Sequence, residues 1–228
     1  SATTTDNDVA GFTVAQTDGS SSVAETGTTD TFTVVLNAQP TTDVVMSIAS
    51  SDAGESTTTN TLTFTNVNWN SAQTVTVTGV DDNIIDGTIT STVTISIIDA
   101  NSDDTFDAVA NQTVSVTTTD NDTAGFTIAQ TDGATSVAET GTTDTFTIVL
   151  NAQPASDVVL SITSSDTGEA TVNSPLTFTP VNWDSAQTVT VTGVDDNIID
   201  GTITSTITIA VVDGSSDNNF DPVADQTV

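Results

Sequence analysis

Carboxylates are the only side chains in this 228-residue chain able to hold an ion or exchange a proton near neutral pH. There are 31 Asp and Glu and no Lys, Arg, His, Cys or Tyr. Two chemistries remain open. A pair of carboxyl groups can act as general acid and base, as in glycoside hydrolysis. A cluster of them can bind a hard cation: Ca²⁺ takes roughly six to eight oxygen ligands at about 2.3–2.6 Å and tolerates irregular geometry.

The acids gather at particular places. They stand at Glu25 after Ser-Val-Ala, at Asp52 in Ser-Ser-Asp-Ala-Gly-Glu, along Asp81-Asp82-Asn83-Ile84-Ile85-Asp86-Gly87, and at Asp120-Asn121-Asp122. The same places recur as Glu139, Asp166, Asp195, Asp196 and Asp200, and the chain opens with a further Asp6-Asn7-Asp8. This spacing is not that of an EF-hand loop, so a metal site would require convergence of distant loops. Asp18, Asp30, Asp43, Asp99 and Asp103-Asp104 read instead as turn residues, whose carboxylates bond the backbone two positions on.

What repeats the acids is a repeat of the whole chain. Residues 1–114 and 115–228 align without a gap and are identical at 86 of 114 positions, from Phe12/Phe126 through Pro40/Pro154 and Trp69/Trp183 to Phe106/Phe220. The longest identical block, Ser71–Thr92 against Ser185–Thr206, contains the Asp81–Asp86 run. Tandem arrays of this kind extend, bind or display. A duplicated active site with only Glu25 and Glu55 available per copy argues against an enzyme.

Apolar and polar residues alternate along the repeat, in Ala10–Ala15, Asp30–Asn37, Asp43–Ala49, Thr61–Thr65, Gln73–Val80, Gly87–Ile98 and Gln112–Thr118. Strands with one buried face are expected at each. No segment carries a 3.6-residue period long enough for a core helix. The expected fold is all-β: two tandem immunoglobulin-like β-sandwich modules of about seven strands each. Trp69 and Trp183 are expected to cap the cores or fill the space between the sheets.

Thr3–Asp8 repeats as Thr117–Asp122. Residues 1–8 are therefore read as the terminal strand of a preceding repeat or a donor strand, residues 9–122 as repeat 1, and residues 123–228 as repeat 2 lacking its closing strand. A neighbouring chain could supply that strand at the open sheet edge, joining subunits head to tail.

A net charge of −31 with no basic residue excludes nucleic acid and anionic membrane surfaces as partners. It also precludes internal salt bridges, leaving solvation or bound cations to offset repulsion. No apolar run is long enough to span a membrane, and nothing at the start reads as a signal peptide.

The order Val-Ala-Glu25, Phe32–Leu36, Ser-Asp52, Leu62-Thr-Phe64, Asp81-Asp82 with Asp86, and Asp120-Asn-Asp122 resembles the Calx-beta module, over the whole repeat. The likeness is greatest to the divergent copies strung together in large bacterial surface and adhesion proteins. The resemblance implies an immunoglobulin-like sandwich that binds Ca²⁺ at the end meeting its neighbour. By position, the implied ligands are Glu25, Asp52, Asp81, Asp82, the Ile84 carbonyl, Asp86, Asp120 and Asp122. In the second copy they are Glu139, Asp166, Asp195, Asp196, Ile198 and Asp200, with Asp6 and Asp8 serving a preceding module. Asp86-Gly87-Thr88 replaces the family's further acidic cluster, so one or two ions of modest affinity are expected. The function implied is an extracellular, cell-surface extender stiffened by Ca²⁺ at module junctions. A Ca²⁺-dependent glycan-binding module and a surface-layer component are the alternatives.

Overall fold

The computed structural model describes residues 1–228, which divide into two compact units: Ser1–Asp82 with Asp86–Asn121, and Asn83–Ile85 with Asp122–Val228. Alternation decides the strands. In Thr29–Leu36 (β3, after β1 Phe12–Gln16 and β2 Ser21–Ala24), Phe32, Val34 and Leu36 are buried while the intervening residues face outward. The same pattern gives β4 (Val44–Ser50), β6 (Thr61–Phe64), β7 (Gln73–Gly79), β8 (Ile89–Ile97) and β9 (Gln112–Thr119), with β5 (Ser56–Thr58) between β4 and β6.

These strands form two sheets, β1-β3-β7-β5 and β2-β9-β8-β4-β6. Their inward faces supply one core: Phe32, Val34, Val75 and Val77 from the first sheet, and Val44, Met46, Phe64, Val93, Ile95 and Val116 from the second. Each fully buried side chain of this size contributes about 1.5–3 kcal/mol of transfer free energy. Trp69 packs half-buried against this core, as Trp183 does against the other. The architecture is an all-β, immunoglobulin-like sandwich.

The first module has nine strands rather than seven. The two additional ones, β2 and β5, are four and three residues long and read Ser-Ser-Val-Ala and Ser-Thr-Thr. They hold no more than one large apolar residue, so alternation cannot reveal them. All pairings are antiparallel except one: β2 runs parallel to β9, in the register Ser21↔Val116 to Ala24↔Thr119.

The second unit repeats the plan with β10 (Phe126–Gln130), β11 (Thr143–Leu150), β12 (Val158–Ser164), β13 (Ala170–Val172), β14 (Leu176–Phe178), β15 (Gln187–Gly193), β16 (Ile207–Val211) and β17 (Gln226–Thr227). Its sheets are β10-β11-β15-β13 and β14-β12-β16-β17. The match to β2 is missing, and β16 is five residues long where β8 is nine. Residues 1–11 form no strand. Residues 115–119, which match residues 1–5, are paired because β2 and β8 flank them.

Candidate metal centre

Glu25 follows β2 directly, and two features fix its position. The chain turns back at Gly27, where φ is +81° and Gly27 N–H donates to the Ala24 carbonyl at 3.1 Å. Gly79 of β7 lies so close beneath Ala24 that a Cβ there would overlap the Ala24 carbonyl. Glu25 N–H donates to the Thr119 carbonyl at 3.1 Å, and its Oε2 accepts from Asn121 N–H at 3.2 Å. Glu25 is 1% exposed, although the chain has no basic side chain to pair with it.

Glu55 enters from the opposite sheet, one residue before β5, and is buried at 6% exposure. Its Oε2 has no hydrogen-bond partner. Asp86, exposed, reaches the same place from the β7–β8 loop, and Gly87 at φ +75° turns the chain after it. One carboxylate oxygen from each of Glu25, Glu55 and Asp86 lies within 4.8 Å of the other two. Two oxygens on opposite sides of a Ca²⁺ at about 2.4 Å stand about 4.8 Å apart, so the donor set fits a hard cation.

Electrostatics agree with the geometry. Burial, then the charges of Asp86, Glu25, Asp52 and Asp82, push the Glu55 carboxyl up to about 7. Burial raises Glu25 as well, aided by Asp120, Asp82 and Asp86 and opposed by the Asn121 N–H bond. Burial and the charges of Asp82 and Asp120 raise Asp86, opposed by its own backbone N–H and by a side-chain hydrogen bond with Glu55. Protons held this way are what a divalent ion displaces.

The surrounding residues tie the exit strand to the loop. Asp120 Oδ2 accepts from Gly87 N–H at 2.9 Å, and the Asn121 side-chain amide donates to Asp81 Oδ1 at 2.8 Å. Of the residues expected as ligands, Glu25 converges with Asp86 and also with Asp120, whose carboxylate oxygen lies within 4.8 Å of one of Glu25's, and Asp82 lies near enough for its charge to act on Glu25 and Asp86. Asp52 is exposed and its Oδ1 accepts from Gly54 N–H at 3.0 Å in a local turn. Ile84 and Asp122 belong to the second unit. Asp6 and Asp8 are exposed, and Asp6 Oδ1 accepts from Asp8 N–H at 3.0 Å. Glu55 was not among the expected ligands, although the sequence offers a signal: the acid directly precedes a Ser-Thr-Thr run within a Gly-Glu turn.

In the second unit, Glu169, Asp196 and Asp200 bring one oxygen each within 4.8 Å of one another. Burial and the charges of Asp200, Asp196, Asp166 and Glu139 raise Glu169. Glu139 itself is half-buried where Glu25 is buried. Asp195 is exposed, Asp166 repeats the turn of Asp52 onto Gly168 N–H, and exposed Ile198 donates its N–H to Asp196 Oδ1 at 2.7 Å.

No protein-family model matches the chain, and no curated protein matches it. Several solved structures are similar to it. One is the calcium binding domain CBD12 of CALX1.1, with 14% identity over 87% of this chain and 79% of that one at a TM-score of 0.32. Another is the apo-form Calx CBD1 domain, with 13% identity over 49% and 98% at 0.35. Domains 5–6 of the S-layer protein SbsC give 21% identity over 97% and 97% at 0.30. At these scores the similarities bear on no individual residue, and the β-sandwich assignment stands on the strand pairing itself.

Proposed function

We propose that each copy is a spacer module of an extracellular, cell-surface protein, and that Ca²⁺ held among its loop acids stiffens the point where the chain leaves the module. The observation that carries this reading is the buried Glu55, whose Oε2 has no hydrogen-bond partner and one of whose carboxylate oxygens lies within 4.8 Å of oxygens of Glu25 and Asp86. A buried carboxylate with no donor is costly unless it is protonated or holds a cation. Glu25, Glu55 and Asp86 would hold the ion in the first module, and Glu169, Asp196 and Asp200 in the second. Asp120 and Asn121, bonded to Gly87, Glu25 and Asp81, couple that site to the exit segment. An ion bound only by the folded module stabilises it by mass action.

The test is thermal unfolding of the 228-residue protein in EDTA and in millimolar Ca²⁺ at fixed ionic strength, alone and as the Glu55→Gln/Asp86→Asn variant. A melting temperature raised by several degrees in Ca²⁺, with the rise of the first module's transition abolished in the variant, supports the reading. Equal melts in the two buffers remove it.

A further inference from the structure

The two copies differ by one buried hydroxyl beside the metal centre. Ser56 of β5 has Ala170 of β13 as its counterpart, and both are buried. The turn before them forms without that hydroxyl. Ser56 N–H donates to the Asp52 carbonyl at 3.1 Å, Ala170 N–H donates to the Asp166 carbonyl at 3.1 Å, and β5 and β13 pair with β7 and β15 in the same register. A hydroxyl taken out of water between two sheets costs free energy unless it is bonded. At Ser56 it is bonded twice.

Ser56 Oγ lies 3.0 Å from Ser91 Oγ on β8 and 3.1 Å from Ser50 Oγ on β4, so it joins the sheet of β5 to the opposite sheet. The protons of this row run in one direction. Ser50 spends its hydroxyl proton on the Asp52 carbonyl at 2.8 Å. Ser56 must then donate to Ser50, and Ser91 to Ser56, since each hydroxyl has one proton to give. Ser91 and Ser56 are both buried, where a fully satisfied row of hydrogen bonds favours a single arrangement. In the second copy Ser164 keeps its bond to the Asp166 carbonyl at 2.9 Å, but Ala170 leaves no hydroxyl between it and Ser205.

The residue held by this row is Glu55. It directly precedes Ser56, and its carbonyl accepts from Val80 N–H at 2.9 Å and from the buried Thr118 hydroxyl at 3.4 Å. Its main chain is thus fixed on both sides, while its Oε2 has no hydrogen-bond partner. We propose that Ser56 is a positioning residue of the metal centre: through Ser50 and Ser91 its hydroxyl holds Glu55 where that carboxylate meets Glu25 and Asp86, before any ion arrives. The proposal rests on the reading of that cluster as a Ca²⁺ site. A group that orients a metal ligand without touching the metal raises affinity by sparing the cost of ordering the ligand on binding. Glu169 of the second copy lacks this support.

The experiment titrates Ca²⁺ into the 228-residue protein by calorimetry, in a Glu169→Gln/Asp200→Asn background that leaves the first module's cluster to be read alone. Ser56→Ala supplies the residue that the second copy already folds with. It is expected to weaken Ca²⁺ binding by about 10–100-fold, the usual effect of removing a group that orients a metal ligand. In EDTA it is expected to speed amide exchange at Val80, and Ser56→Thr, which keeps the hydroxyl, restores both properties. Ser102→Ala is the control. Ser102 Oγ donates to the Ile98 carbonyl at 2.8 Å and accepts from Val45 N–H at 3.0 Å, past the far end of β8, so its loss lowers the melting temperature and leaves Ca²⁺ affinity as it was. A Ser56→Ala protein that binds Ca²⁺ as tightly as the background protein, or whose Val80 exchange in EDTA is unchanged, overturns the proposal while leaving the metal centre standing. A background protein that binds no Ca²⁺ removes the metal centre and the proposal together.

Discussion

Asn121 donates its side-chain amide to Asp81 Oδ1 at 2.8 Å across forty positions of sequence, fastening the residue that follows the last strand to the loop that carries Asp86. Replacing Asn121 with Ala removes this bond and keeps the Asn121 N–H bond to Glu25. The expected loss is about 1 kcal/mol of first-module stability in urea denaturation, together with weaker Ca²⁺ stabilisation. Ca²⁺ stabilisation equal to that of the unsubstituted chain would mean that the exit segment and the acid cluster are not coupled.

Asp103 carries a different acid's role. Its Oδ2 accepts from Thr41 N–H, the Thr41 hydroxyl and Thr42 N–H at 2.6, 2.7 and 3.1 Å, and its Oδ1 from the Thr105 N–H and hydroxyl at 3.0 and 2.7 Å. These bonds, those of Thr105 and Thr41 foremost, hold its carboxyl well below the ordinary value of 3.8. Asp217 has the Ser156 and Asn219 N–H groups at 2.9 and 3.0 Å in their place. Asp103→Ala should therefore cost about 3 kcal/mol, and Asp217→Ala less, by urea denaturation. Equal losses would contradict the bond-for-bond reading. Because the folded value is depressed, the Asp103 contribution is present above pH 3.8 and disappears as pH falls from there toward the folded value.

The pH dependence at the metal centre has the opposite sign. Glu55 is raised from 4.5 to about 7, so its contribution favours the fold below pH 4.5 and is lost as pH rises through about 7. In EDTA the first module should be less stable at pH 8 than at pH 5 at equal ionic strength, and Glu55→Gln should flatten that slope. Ca²⁺ should offset the loss at pH 8, where the carboxylates are ionised. Urea midpoints at the two pH values in both buffers decide the matter, and a slope unaffected by Glu55→Gln would discard it.

Gly79 and Gly193 are required by contact rather than by dihedral angle. A Cβ at either meets the carbonyl of Ala24 or Ala138, backbone that cannot rotate away. Gly79→Ala should destabilise the first module by about 2 kcal/mol or more and move the adjacent Glu25, lowering the gain from Ca²⁺. A Gly79→Ala protein with unaltered melting in both EDTA and Ca²⁺ would show that β2 has room to shift.

Alternation made seven strands of each repeat legible because Val, Ile, Leu and Phe fall on every second position of them. It could not register β2, where Val23 is the single large apolar residue and the pairing is with a strand some ninety residues away. At the candidate site, Glu25 and Asp86 were legible by resemblance, but Glu55 was not, since its burial comes from packing between sheets. The identical sequences around Glu25 and Glu139 conceal a difference in packing: one is buried and bonded by residues 119–121, the other half-buried.

The parallel pair β2–β9 also sets how a module meets tension. Ser21 leads back toward the entry of the chain and Thr119 leads out, and the two strands point the same way. Pulling the ends apart therefore slides β9 lengthwise along β2, loading the Ser21–Ala24 register all at once instead of unzipping it one bond at a time. In the first module, four paired residues beside a carboxylate cluster therefore take such a pull in shear.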